Sequence, residues 1–104
     1  DSIKISPVAG GHSIGDLYDN AKKYNKQTVK VRGQVVKVNL DIMDRNWVHL
    51  VDGTKGDNRS DLTFTTMDVV QVGDTVTLEG VLAIDREFGA GYVYPLIVEN
   101  ATIK

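Results

Sequence analysis

The chain contains no cysteine, two prolines, one tryptophan and two histidines in 104 residues. Without cysteine there is no disulfide framework, no thiolate metal site and no covalent haem attachment through a Cys-x-x-Cys-His motif. No apolar run approaches the roughly 20 residues that a bilayer-spanning helix requires. Charge of one sign is lacking too. Twelve lysines and arginines against 14 aspartates and glutamates leave a formal charge of −2 and a pI of about 5.6, which excludes long-range attraction of polyanions. Nucleic-acid binding would have to rest on a local basic patch.

The motifs of catalysis are missing as well. His12 and His49 lie far apart, and no nucleophile elbow, zinc spacing or phosphate loop occurs. A non-catalytic protein without cofactor or metal is expected. Asp52, Asp57 and Asp61 surround a Gly-containing stretch, but their spacing does not fit an EF-hand calcium loop, and ordinary turn chemistry accounts for them. Asn58 and Asn100 begin Asn-x-Ser/Thr sequons, which matter only in a glycosylating host. Residues Asp1 to Pro7 lack the basic and apolar regions of a signal peptide, and the chain starts with Asp. Removal of an export signal produces such a start, so a periplasmic or extracellular location is expected, with the cytoplasm as the alternative.

What is present is periodicity. A chain of this length makes one domain with one core, and an apolar set rich in valine favours strands. Ile3 and Ile5 alternate with Lys4 and Ser6 as in a short edge strand that Pro7 stops. An ordered Asp1 would imply that this strand pairs with a sheet edge, its own or a neighbour's. Ile14, Leu17, Tyr18 and Ala21 mark one face of a helix from about Ser13 to Tyr24, with Ser13 as N-cap and Lys22, Lys23 and Lys26 near its end.

From Thr28 the period becomes two. Val29, Val31, Gly33 and Val35 share one face, then Val36 and Val38 carry the apolar set to the other parity, which predicts a bulge near Gly33 to Val36. Further strands are expected over Asn46 to Asp52, Leu62 to Thr66, Thr75 to Ile84 and Tyr92 to Ile103, with a polar stretch from Thr54 to Ser60 between the second and third. Pro95 implies an edge or a bulge. The expected organisation is an extended arm over residues 1–12, then one helix and five strands over residues 13–104. Five such strands, bent at Gly33 and Gly80, can close a small barrel.

Four stretches carry a family likeness: Thr28-Val-Lys-Val-Arg-Gly-Gln-Val-Val-Lys-Val38, Trp47-Val-His-Leu-Val-Asp-Gly53, Val72-Gly-Asp-Thr-Val-Thr-Leu-Glu-Gly80, and the segment holding Phe88-Gly-Ala-Gly-Tyr92 and Glu99-Asn-Ala101. In order and spacing the chain resembles the OB-fold domain of the tRNA-anticodon-binding type. It is similar to small bacterial exported proteins or lipoproteins described as nucleic-acid-binding OB-fold proteins. The resemblance implies an all-β, five-stranded Greek-key OB-fold barrel with one N-terminal helix. It also places Trp47 where family members stack an aromatic side chain on a base. The family pattern has a basic residue before the aspartate, where this chain has Val51.

An OB barrel binds its ligand across strands two and three, between the loop that joins strands one and two and the loop that joins four and five. Those loops are expected at Leu40 to Asn46 and Asp85 to Gly91. If Val48 and Leu50 point inward, Trp47, His49 and Val51 point outward. The loops add Arg45, Arg86 and Phe88, with Tyr92 and Tyr94 behind them. The candidate ligand-binding residues are thus Trp47, His49, Arg45, Arg86, Phe88 and Tyr92, since rings that stack on bases and cations that hold a backbone are what a single strand requires. The bland alternative is that the aromatics simply close the barrel mouth. Asp44, Asp85 and Glu87 are expected to balance the two arginines. Lys30, Arg32 and Lys37 form either a basic stripe or an ordinary solvated face.

The expected function is a binding module for single-stranded oligonucleotide or another extended polymer. The alternative is an assembly protein whose barrel contacts other proteins while Ile3 and Ile5 add to a sheet edge of a second subunit.

Overall fold

The computed structural model describes residues 3–89 and 91–104. The elements are α1 (Ile14–Asp19), α2 (Ala21–Tyr24), β1 (Thr28–Ile42), β2 (Arg45–Gly56), β3 (Arg59–Thr66), β4 (Thr75–Glu87) and β5 (Val93–Ile103). The five strands form one sheet that closes into a ring in the order β1-β2-β3-β5-β4. Every pairing is antiparallel except the short parallel one between β3 and β5. Val31, Val35, Val48, Leu50, Leu62, Phe64, Leu78, Leu82 and Val98 fill the interior, joined by Ile14 and Leu17 from the helix. Trp47 and Ile97 are also buried, but outside that cluster.

The bulge in β1 falls at the expected place. Val35 pairs with Leu50 and Lys37 with His49, so Val36 is the extra residue, and it is 40% exposed rather than part of the apolar face. Beyond it Val38 packs against the core, while Lys37 and Asn39 turn outward beside His49 and Trp47. The extra residue keeps Lys37 on the same outer face as Lys30 and Arg32. Gly33 and Gly80 sit where neighbouring strands come too close for a side chain: a Cβ on Gly33 would lie 2.6 Å from the Val51 carbonyl oxygen, and one on Gly80 2.9 Å from that of Glu99.

Several boundaries differ from expectation. The single helix is two, because the Asn20 side chain donates to the Asp16 carboxylate at 2.7 Å and its backbone leaves the helical region at φ −123°, ψ 34°. The stretch from Thr54 to Ser60 is a continuation of β2 and β3, closed by a two-residue turn in which Asp57 and Asn58 both have positive φ. The expected Leu40 to Asn46 loop is likewise paired up to a two-residue turn, Met43 and Asp44. β4 runs on to Glu87 through Asp85 at φ 52°, so the last connection begins after Glu87 and ends before Val93. Pro95 lies at an edge, since β5 meets β3 only from Ile97 onward.

The arm folds back on its own chain. The Ile5 N–H donates to the Asp52 carbonyl at 3.0 Å and the His12 N–H to the Lys30 carbonyl at 2.9 Å. The segment thus spans the gap where β1 and β2 diverge, and Ile3 lies so close to Gly53 that a Cβ there would strike its carbonyl. Asp1 and Ser2, and with them the expected order of Asp1, lie outside the described residues, as does Ala90.

Asp52 organises this end of the molecule. Its carboxylate, 2% exposed, accepts from the Ile14 N–H at 2.9 Å, the Thr54 N–H at 2.9 Å and the Thr54 hydroxyl at 2.6 Å. The Thr54 hydroxyl oxygen in turn accepts from the Gly15 N–H at 2.7 Å, and Ser13 accepts from the Asp16 N–H at 3.1 Å. The orphan donors of the first turn are thereby satisfied from the sheet as well as from the cap. Gly15 and Gly56 allow contact too close for any side chain. Burial alone would raise the Asp16 carboxyl, but hydrogen bonds from Tyr24, Asn20 and His12 outweigh it and hold the group below its usual 3.8. On the other flank the Tyr18 hydroxyl donates to the Asp61 carbonyl at 2.7 Å.

Asp52→Ala strands the Ile14 and Thr54 donors and is expected to cost about 3 kcal/mol, read as a lowered urea midpoint; a loss below about 1 kcal/mol would show that the carboxylate does not hold the helix. Tyr18 supplies a second measurement. Burial, then the nearby Asp61 carboxylate, push its hydroxyl up from 10.0 to about 12, with Arg59 opposing. A raised folded value means that this stabilisation is complete below pH 10 and disappears as the pH climbs toward 12. The urea midpoint of the native protein should therefore fall more steeply over that interval than that of Tyr18→Phe. Parallel curves would refute the assignment.

Candidate functional site

Strand alternation builds the site. Because Val48 and Leu50 enter the core, Trp47 and His49 face outward, and the register places Asn39 opposite Trp47 and Lys37 opposite His49. On the other side Thr65 pairs with Trp47 and Thr63 with His49. The β4–β5 hairpin tip adds Phe88, Tyr92 and Tyr94. It is held by two backbone bonds of 3.0 Å, Phe88 N–H to the Tyr92 carbonyl and Tyr92 N–H to the Gly89 carbonyl. Between this tip and the β1–β2 tip lies a cleft of about 370 Å³, lined by Lys37, Asn39, Ile42, Met43, Trp47, His49, Phe88, Tyr92 and Tyr94.

Trp47 is not the open platform that an outward position implies. Its indole is only 5% exposed and its N–H donates to the Ile42 carbonyl at 2.8 Å. Phe88 meets it edge-on with ring centres 5.0 Å apart, and Tyr94 stacks at 5.9 Å. The indole is therefore the floor of the cleft, sealed by two other rings. Tyr92, 64% exposed, is the aromatic that stands open at the rim.

Of the expected residues, Trp47, His49, Phe88 and Tyr92 come together around the cleft, while Arg45 and Arg86 do not line it. Arg86 stacks on Phe88 at 4.6 Å and forms a two-pronged bond to Glu99, at 2.6 and 3.2 Å. Its neutralising partner is thus Glu99 rather than the adjacent Asp85 or Glu87, and that hydrogen bond raises the guanidinium pKa further. Arg45 lies 5.8 Å from the Trp47 ring centre and donates to the Met43 carbonyl at 3.3 Å. Tyr94, Lys37, Asn39, Ile42 and Met43 are the lining residues outside the expected set. Only the bulge could have signalled Lys37 and Asn39. Met43-Asp44 carries no usual turn signature, so the reach of this hairpin was hidden.

His49 Nδ1 lies 3.1 Å from Asp61 Oδ2, with the histidine a quarter exposed and the carboxylate half exposed. Among the described residues its side chain makes no hydrogen bond to a hydroxyl nucleophile. The Asp52, Asp57 and Asp61 group does not converge, since Asp52 is committed to the helix. No group of three or more metal-ligating side chains occurs among the described residues. No helix of the described residues is long and apolar enough to cross a membrane.

No family model, curated protein or solved structure matches the chain.

The sole tryptophan makes the cover testable. Phe88→Ala is expected to shift Trp47 emission to the red, raise its quenching by acrylamide and cost about 1–2 kcal/mol in urea unfolding. Unchanged emission and quenching would mean that Phe88 does not seal the indole.

Proposed function

We propose that the chain is a non-catalytic binding module of the OB type, akin to anticodon-binding domains, that holds a single-stranded oligonucleotide against the outer face of β2 and β3. The meander of β1 to β3, the crossover that places β5 beside β3, and ring closure between β1 and β4 support a Greek-key OB barrel. The observation that carries the functional reading is the cleft itself. Aromatic rings from two hairpins converge on the face that such barrels use, at a volume suited to a single flat ring and its substituents.

Electrostatics sets the character of the grip. Lys37 lines the cleft and Arg45 stands beside it, whereas Arg86 is tied to Glu99. Asp41, Asp44, Asp85 and Glu87 are exposed on the same two hairpin tips and weaken the local field. Stacking, rather than phosphate neutralisation, supplies most of the affinity.

Titrating Trp47 fluorescence with oligothymidylate at several salt concentrations tests this. Two uncommitted cations, each contributing about 0.7, give an expected salt slope of about −1.4 on logarithmic axes. A slope beyond about −3 would place the ligand on a different, more basic surface, and no response at low salt would remove the reading. A second reading, protein contact, is favoured by the exposed apolar residues on those tips, Leu40, Ile42, Met43, Tyr92 and Val93. Assembly through Ile3 and Ile5 has less support, because that segment is occupied on its own β2.

A further inference from the structure

We infer that Lys37 and His49 form a phosphate subsite in the cleft, and that His49 makes the grip depend on a proton. This rests on the oligonucleotide reading above and assigns chemistry within it.

Lys37 and His49 face each other across the β1–β2 ladder, and both line the cleft. The neighbouring rung on the same face is Asn39 opposite Trp47. Two residues along a strand is about 6.8 Å, on the scale of the separation between a nucleotide's phosphate and its base. One rung therefore offers cationic donors and the next an amide, at the edge of a recess whose exposed ring is Tyr92. Among the described residues neither the Lys37 ammonium nor the Asn39 amide makes a hydrogen bond or ion pair within the protein, so both remain available to a ligand.

The hydrogen bond from His49 to Asp61 decides how the imidazole can act. Asp61 engages Nδ1 from the β3 side, leaving Nε2 as the open nitrogen. In the neutral ring, Nδ1–H donates to the carboxylate and Nε2 carries a lone pair, which cannot donate to a phosphate oxygen. In the protonated ring both nitrogens donate, one to Asp61 and one to the ligand. The charged groups beside His49 are Lys37 from β1, across the ladder, and Asp61 from β3, bonded to Nδ1. Among the described residues, the β4–β5 tip lines the cleft with Phe88, Tyr92 and Tyr94; its carboxylates Asp85 and Glu87 are exposed outside the lining, and the Arg86 guanidinium on β4 is bound by Glu99 on β5.

The test measures affinity for oligothymidylate, whose bases do not titrate near neutrality, by anisotropy of a pH-insensitive dye from pH 8 to pH 5.5. Native protein is expected to gain about tenfold in affinity on acidification, the size of one charge-assisted hydrogen bond. His49→Gln should lose the pH dependence. Lys37→Met should weaken binding at every pH and reduce the salt slope by about 0.7. Binding that is flat with pH in the native protein, or equally pH-dependent in His49→Gln, overturns the inference and leaves the oligonucleotide reading standing. Absence of binding at any pH overturns both.

Discussion

The buried carboxylate of Asp52 is the interaction on which the arrangement depends. It lies where β2 bends at its bulge, and its two oxygens serve a helix that precedes it by almost 40 residues as well as its own turn at Thr54. Its backbone carbonyl also receives the returning arm through Ile5. Helix, strand and arm are thus fastened at one residue. A carboxylate withdrawn from water is costly unless its lone pairs are filled, and here three donors fill them. The same fastening seats Ile14 and Leu17 over the interior, so the short helix is stable through packing and capping rather than through its length.

Toward the other end of β2 the arrangement is reversed, with an apolar layer laid on the outside. Trp47 and Ile97 are buried though neither belongs to the central cluster. The β4–β5 tip folds Phe88 and Tyr94 over the indole and leaves an aromatic recess in place of a flat stacking surface. Such a recess is organised by its own ring contacts, which would reduce the ordering cost of the binding proposed above. The outward-facing histidine and lysine then contribute polarity at one wall only.

The alternation of Val29, Val31 and Val35, the change of parity at the bulge, and the inward pair Val48 and Leu50 were legible because side-chain period follows directly from burial. So was the convergence of Trp47, His49, Phe88 and Tyr92, which alternation and loop position together imply. For Trp47 the sequence left two readings open, an exposed platform or a ring closing the barrel mouth, and the choice depends on rings more than 40 residues away in sequence. Strand ends were misread where polar residues continued a ladder: Thr54 to Ser60 reads as a loop by composition, yet Asp57 and Asn58 accept the positive φ of a tight hairpin. The pairing of Arg86 with Glu99 was obscured for a related reason. Local sequence offers Asp85 and Glu87, while the fold brings a partner from the next strand.

The parallel seam between β3 and β5 has its own consequence. Three residue pairs register there, against eight between β4 and β5. Side chains make up part of the difference: the Thr66 hydroxyl donates to the Ala101 carbonyl at 2.7 Å, and the Asp68 carboxylate accepts from the Ile103 N–H at 2.9 Å. Because Thr65 is the ladder partner of Trp47 as well as the acceptor for the Asn100 N–H at 3.1 Å, the seam and the recess share one strand, and loosening the first disturbs the second.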